Sequence, residues 1–190
     1  MLYEVREAQR AVLTPVSNWA GAMSKLYSSP YSPFSYSPLA TRAAAGFELL
    51  HRLGKEYEKP GFGLPSTTID GNEVPVRERV VFQKPFCRLI QFERVLPPYV
   101  ASHNADPRVL VVAPLSGHHA TLLRDTVRAM LPDHDVYITD WIDARMVRQS
   151  LGEFHLHDYI DYCIDFLRHL GPDTHVVSVC QPTVPVLAAV

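Results

Sequence analysis

The sequence predicts an α/β fold, a mostly parallel sheet with flanking helices, preceded by a helical N-terminal segment. Three observations carry this. First, the runs RVLVVAP (108–114), DVYITD (135–140) and HVVSVC (175–180) are continuous and apolar, as expected of strands covered on both faces. Second, residues at helical spacing separate them: Leu123, Val127, Met130 and Leu131 up to Pro132, then Ile160, Cys163, Ile164, Leu167 and Leu170 up to Gly171-Pro172. Third, a strand–helix–strand–helix–strand order with short connections calls for right-handed crossovers and a parallel sheet.

The elements before this core follow in order. Val12, Val16, Trp19, Ala20, Met23 and Tyr27 recur at helix spacing, interrupted by Pro15 near the beginning, and Phe47, Leu50, Leu53 and Tyr57 do the same from about Pro38 onward. Between them SSPYSPFSYSP (28–38) holds three prolines, which fix φ and remove backbone donors. This predicts an extended connector that carries Tyr31, Phe34 and Tyr36. Two readings stand: a linker whose aromatics tuck onto the neighbouring body, or an adhesive surface for a hydrophobic polymer or a lipid-coated particle. KPGFGLPS (59–66) marks a boundary, giving a helical segment 1–66 and an α/β portion 67–190. Val74–Phe82 and Phe86–Val95 alternate polar with β-branched or aromatic residues around Lys84-Pro85, and are expected to pair as an antiparallel hairpin.

Composition narrows the function classes. A net charge of −2 provides no excess of Lys and Arg to neutralise a phosphate backbone, so nucleic acid is not an expected partner. Glu4, Arg6, Glu7 and Arg10 break any N-terminal apolar run, and no later run approaches membrane-spanning length, so a cytoplasmic protein without a transmembrane segment is expected. Cys87, Cys163 and Cys180 form no C-x-x-C pair, which suggests neither a disulfide framework nor a zinc site. His155 and His157 make an H-x-H pair with no third ligand at matching spacing. No metal or cofactor is expected.

Cys180 is the residue that position singles out. It ends an apolar run predicted to be a parallel strand, at the carboxyl end where open α/β sheets bind their ligands. The frame Ser178-Val179-Cys180-Gln181-Pro182 has small or compact residues two before and two after the cysteine, the steric requirement of a nucleophile elbow. Pro182 suits a first helical position, whereas Pro185 is expected to disturb the first turn. Cys163 lies in an apolar helix stripe and Cys87 in a strand; both are expected to pack rather than react.

The segments YEKPGFGLP, APLSGHHATLLRD, DVYITDW, DYIDYCIDFLRHLG and HVVSVCQP, occurring in this order, resemble the intracellular polyhydroxyalkanoate depolymerases over the whole chain. The resemblance implies the α/β-hydrolase fold, with Cys180 as the nucleophile and the poly-3-hydroxybutyrate polymer, or the surface of its storage granule, as the partner. Polyhydroxyalkanoate synthases also use a cysteine, but one flanked by glycines; Ser178 and Pro182 here favour the depolymerase. A synthase-like acyltransferase and a non-catalytic granule-binding protein remain the alternatives.

In that fold the oxyanion donors would be the backbone N–H of Gln181 and that of Leu115, since Pro114 has none. Ser116, His118, Asp140 and Trp141 are pocket-lining candidates. Plainer roles stand beside them: a helix N-cap for Ser116, a solvated loop acid for Asp140 and a half-buried packing residue for Trp141. The fold places acid and base after the nucleophile, and no Asp, Glu or His follows Cys180. The expectation is therefore the N-terminal part of a depolymerase about twice this length, its hydrolase domain incomplete at the C-terminus, and these 190 residues alone are expected to be inactive for want of the downstream Asp and His.

Overall fold

The computed structural model describes residues 2–31, 37–54, 59–98, 105–115 and 119–190. The chain forms two compact units, Met1–Glu58 and Lys59–Val190. The division lies upstream of the Pro/Gly stretch, so KPGFGLPS belongs to the second unit.

The first unit is a helical hairpin of α1 (Leu2–Ser28) and α2 (Pro38–Gly54). Pro15 lies inside α1 without ending it, although proline forfeits one intrahelical bond. The turns that follow it are held against α2. Ser17 Oγ donates to the His51 carbonyl at 2.8 Å, His51 Nδ1 lies 2.8 Å from the Ser17 carbonyl, and Phe47 meets Trp19 edge-on and Tyr27 face-on. The helices approach closely at Gly21, where a Cβ would come within 2.8 Å of the His51 ring. Of the aromatic connector residues, Tyr31 is 97% exposed, while Phe34 and Tyr36 lie outside the described residues.

The second unit is built on a six-stranded mixed sheet: β1 (Ser66–Ile69), β2 (Asn72–Lys84), β3 (Cys87–Arg94), β4 (Arg108–Val112), β5 (Asp135–Trp141) and β6 (Thr174–Ser178), in spatial order β1-β2-β3-β5-β4-β6. β4 runs parallel to both β5 and β6, and the remaining pairs are antiparallel. The expected β2–β3 hairpin and parallel trio are present, but the sheet is mixed rather than mostly parallel: β3 joins β5 antiparallel and β1 extends the hairpin, so three of the five strand pairs are antiparallel. β1 was not anticipated; it turns into β2 through Asp70-Gly71, both at positive φ (49° and 77°), the backbone of a tight two-residue hairpin turn.

Strand alternation decides where the helices go. Val109 and Val111 face one side with Val136 and Ile138, covered by Leu123, Val127 and Leu131 of a 3-10 turn (Ala120–Leu123) and of α3 (Arg124–Met130) with its end. Leu110, Val112 and Tyr137 face the other side, under α4 (Leu156–Leu170) and α5 (Thr183–Ala189). The crossover from β4 to β5 thus lies on one face and that from β5 to β6 on the other. Adjacent strands β4 and β6 send their chains to opposite faces, which makes their carboxyl ends a topological switch point, the place where open α/β sheets bind ligands. Helix α4 stops at Gly171, whose φ of 88° ends it, and the Arg108 guanidinium donates to the Leu170 carbonyl.

Candidate active site

β6 ends at Ser178, and within five residues the chain has turned into α5. That turn forces the backbone at Cys180 to φ +68°. The other described non-glycine residues at positive φ, Asp70 and Asp173, are of a type that tolerates the left-handed region, whereas cysteine gains nothing there. The conformation costs about 1–2 kcal/mol. It persists because the Cys180 carbonyl accepts from both the Thr183 amide (3.2 Å) and the Thr183 hydroxyl (2.8 Å), and the Val186 amide donates to Pro182 at 3.0 Å. The side chain is left exposed, unlike Cys87 and Cys163, which are buried. Burial pushes the Cys87 thiol well above its ordinary range and the Cys163 thiol up to about 11, so neither is a thiolate near neutrality.

Pro185 does not disturb the first turn of α5. It is the third helical residue, where an amide has no intrahelical acceptor, and the first i→i−4 bond comes from Val186.

The second chain at this switch point is the one leaving β4. Ala113, fully buried, is anchored at both polar groups: its amide donates to Thr139 Oγ1 at 2.8 Å, and its carbonyl accepts from Trp141 Nε1 at 2.9 Å and from the Tyr159 hydroxyl at 3.3 Å. These bonds replace the strand ladder at the point where β4 ends and fix the direction of Pro114-Leu115. The Leu115 amide reaches across to the elbow and donates to Gln181 Oε1 at 3.1 Å. An N–H from the loop after β4 and the residue following the cysteine are therefore in direct contact.

Of the sequence-derived site residues, Cys180, Gln181 and Leu115 come together. Ser116 and His118 lie outside the described residues. Trp141 serves the site indirectly, through the Ala113 carbonyl. Asp140 is not a solvated loop acid: it is 4% exposed, and its carboxylate is paired with Lys59 from the KPGFGLP segment. The sequence reading missed Thr139, Tyr159 and Lys59. The threonine inside the apolar run DVYITD is the one local signal, a polar residue that must find a partner when its strand is buried on both faces.

Among the described residues no three His, Cys, Asp or Glu side chains are grouped to hold a metal ion, and no helix is long and apolar enough to cross a membrane. An open, polar cavity of about 440 Å³ lies among Arg79, Gln91, Arg108, Tyr137 and His169, at the amino end of the parallel strands and away from the elbow. Comparison of the chain with protein-family models, with curated proteins and with solved structures finds no match.

Proposed function

We propose that the chain carries the nucleophile and oxyanion donors of a cysteine-dependent carboxylic ester hydrolase of the α/β-hydrolase fold, acting on polyhydroxyalkanoate polyester at the granule surface. The observation that carries the reading is the exposed Cys180 held at φ +68° between a parallel strand and a helix. A nucleophile elbow needs this strained corner to lift the reacting atom clear of the sheet. The loop after the neighbouring strand β4, which presents the Leu115 N–H to the elbow, supplies what that fold uses as the second oxyanion donor. The substrate class comes from the sequence resemblance.

In the reaction, the Cys180 thiolate attacks the ester carbonyl carbon, and the carbonyl π electrons move onto oxygen. The N–H groups of Gln181 and Leu115 receive that oxyanion, an interaction worth about 3 kcal/mol per donor. Collapse of the tetrahedral species breaks the C–O bond; the alkoxide takes from solvent the proton that the thiol released on ionising and leaves as the alcohol, and an acyl-cysteine thioester remains. Water then adds to the thioester carbonyl and releases the 3-hydroxy acid and the thiol. The sequence balances on ester and water alone, with no metal or cofactor required.

The test is incubation with amorphous poly-3-hydroxybutyrate granules, comparing the natural chain with Cys180→Ala across pH 7–10, where thiols ionise, and following both 3-hydroxybutyrate release and the acyl group retained on the protein by mass spectrometry. Because no Asp, Glu or His follows Cys180, the expected result is a hydroxyacyl group on Cys180 that the variant lacks rather than sustained release. Equal acylation of both proteins, or none of Cys180 in the natural chain, contradicts the reading. Granule binding without Cys180-dependent acylation points to a binding module, and polymer growth from a hydroxyacyl thioester of coenzyme A to an acyltransferase.

A further inference from the structure

Resting on the hydrolase reading above, a second role falls on Gln181. Its backbone N–H is one oxyanion donor, and its side-chain carbonyl oxygen occupies the other, the Leu115 N–H, at 3.1 Å. An amide carbonyl is a neutral acceptor of the same kind as the ester carbonyl that the site would bind, and a stronger one. A tetrahedral oxyanion is stronger still, since a charge-assisted hydrogen bond has roughly twice the strength of a neutral one. The Gln181 side chain is exposed, so it can swing away without leaving a buried group unpaired.

We infer that the Gln181 side chain is a displaceable latch: it holds the Leu115 N–H in the resting protein and yields it to the acyl oxygen as the tetrahedral oxyanion forms. The latch keeps the β4 loop aimed at the elbow before substrate arrives. It also makes the transition state bear the cost of displacing one neutral hydrogen bond.

Gln181→Met tests this, because it keeps the backbone N–H and the side-chain length but has only a weak thioether acceptor. Relieved of the competitor, the variant acylates faster: the second-order rate constant for acylation by p-nitrophenyl butyrate rises about fivefold, the equivalent of one neutral hydrogen bond. Hydrogen exchange at the Leu115 amide speeds up in parallel. A purely structural tether predicts the opposite sign for acylation, a fall as the loop loosens. If the natural chain acylates at Cys180 and the variant is unchanged or slower, the latch is overturned and the hydrolase reading stands. If neither protein shows acylation that Cys180→Ala abolishes, the hydrolase reading fails and takes the latch with it.

Discussion

Thr139→Val removes the hydroxyl that receives the Ala113 amide while keeping the shape of the side chain. Thr139 and Ala113 are both fully buried and their bond is 2.8 Å, so in the variant the amide has no access to water in compensation. Leaving one buried donor unsatisfied costs about 1–3 kcal/mol; valine opens no cavity, so the expectation is about 2 kcal/mol. The assay is urea unfolding followed by tryptophan fluorescence in a Trp19→Phe background. The chain has two tryptophans, and Trp141 then reports the second unit alone. With a urea slope of about 2 kcal/mol per molar, the midpoint falls by about 1 M with the slope unchanged. Because the lost bond anchors the residue two before Leu115, acylation of Cys180 also slows. A midpoint that moves by less than about 0.2 M would show that the Thr139 bond does not hold the loop, and the account of how the chain leaving β4 is anchored would fall.

Three further outcomes follow from the same structure. Lys59→Met strands the buried Asp140 carboxylate and lowers stability by about 3–5 kcal/mol, whereas Lys59→Met combined with Asp140→Asn recovers most of it; urea midpoints of the two variants check this. Cys180→Gly and Cys180→Ala both delete the thiol, but only glycine relaxes a φ of +68°, so the glycine variant is the more stable by about 1 kcal/mol in thermal unfolding. For Cys163, burial lifts the folded-state value from 9.0 to about 11, so the folded state holds its proton more tightly than the unfolded one. Its contribution is full below pH 9 and is lost as pH rises towards 11, a decline that Cys163→Ala removes from the pH–stability profile.

The parallel core was legible because β4 and β5 are buried on both faces: Val109–Val112 and Val136–Ile138 leave no polar position to confuse the pattern. β6 was expected to be covered in the same way, but it is the edge strand of the sheet and is only half-buried. The stop of α4 at Gly171 and the corner after HVVSVC were likewise written in local chemistry. What escaped was set by distance or brevity. β1 is four residues with two threonines, and its signal was the Asp70-Gly71 pair rather than any apolar period. The helical pattern of α1 was legible only from Val12 onward and with an interruption at Pro15, because the sequence does not reveal the α2 contacts that hold the helix. At the site, Cys180 could be placed from its neighbours alone. The bonds that aim Leu115 join residues 26 to 66 positions apart, and the Lys59–Asp140 pair spans 81, separations at which side-chain type does not specify the partner.

The central claim, that Cys180 alone is a nucleophile set in an elbow, is tested most directly by treating the native chain with p-nitrophenyl butyrate and locating the acyl group by peptide mass spectrometry. The account predicts a single butyryl adduct, on the peptide containing Cys180, with Cys87 and Cys163 unmodified until the protein is unfolded. An unmodified Cys180, or label distributed equally over the three thiols, would contradict it.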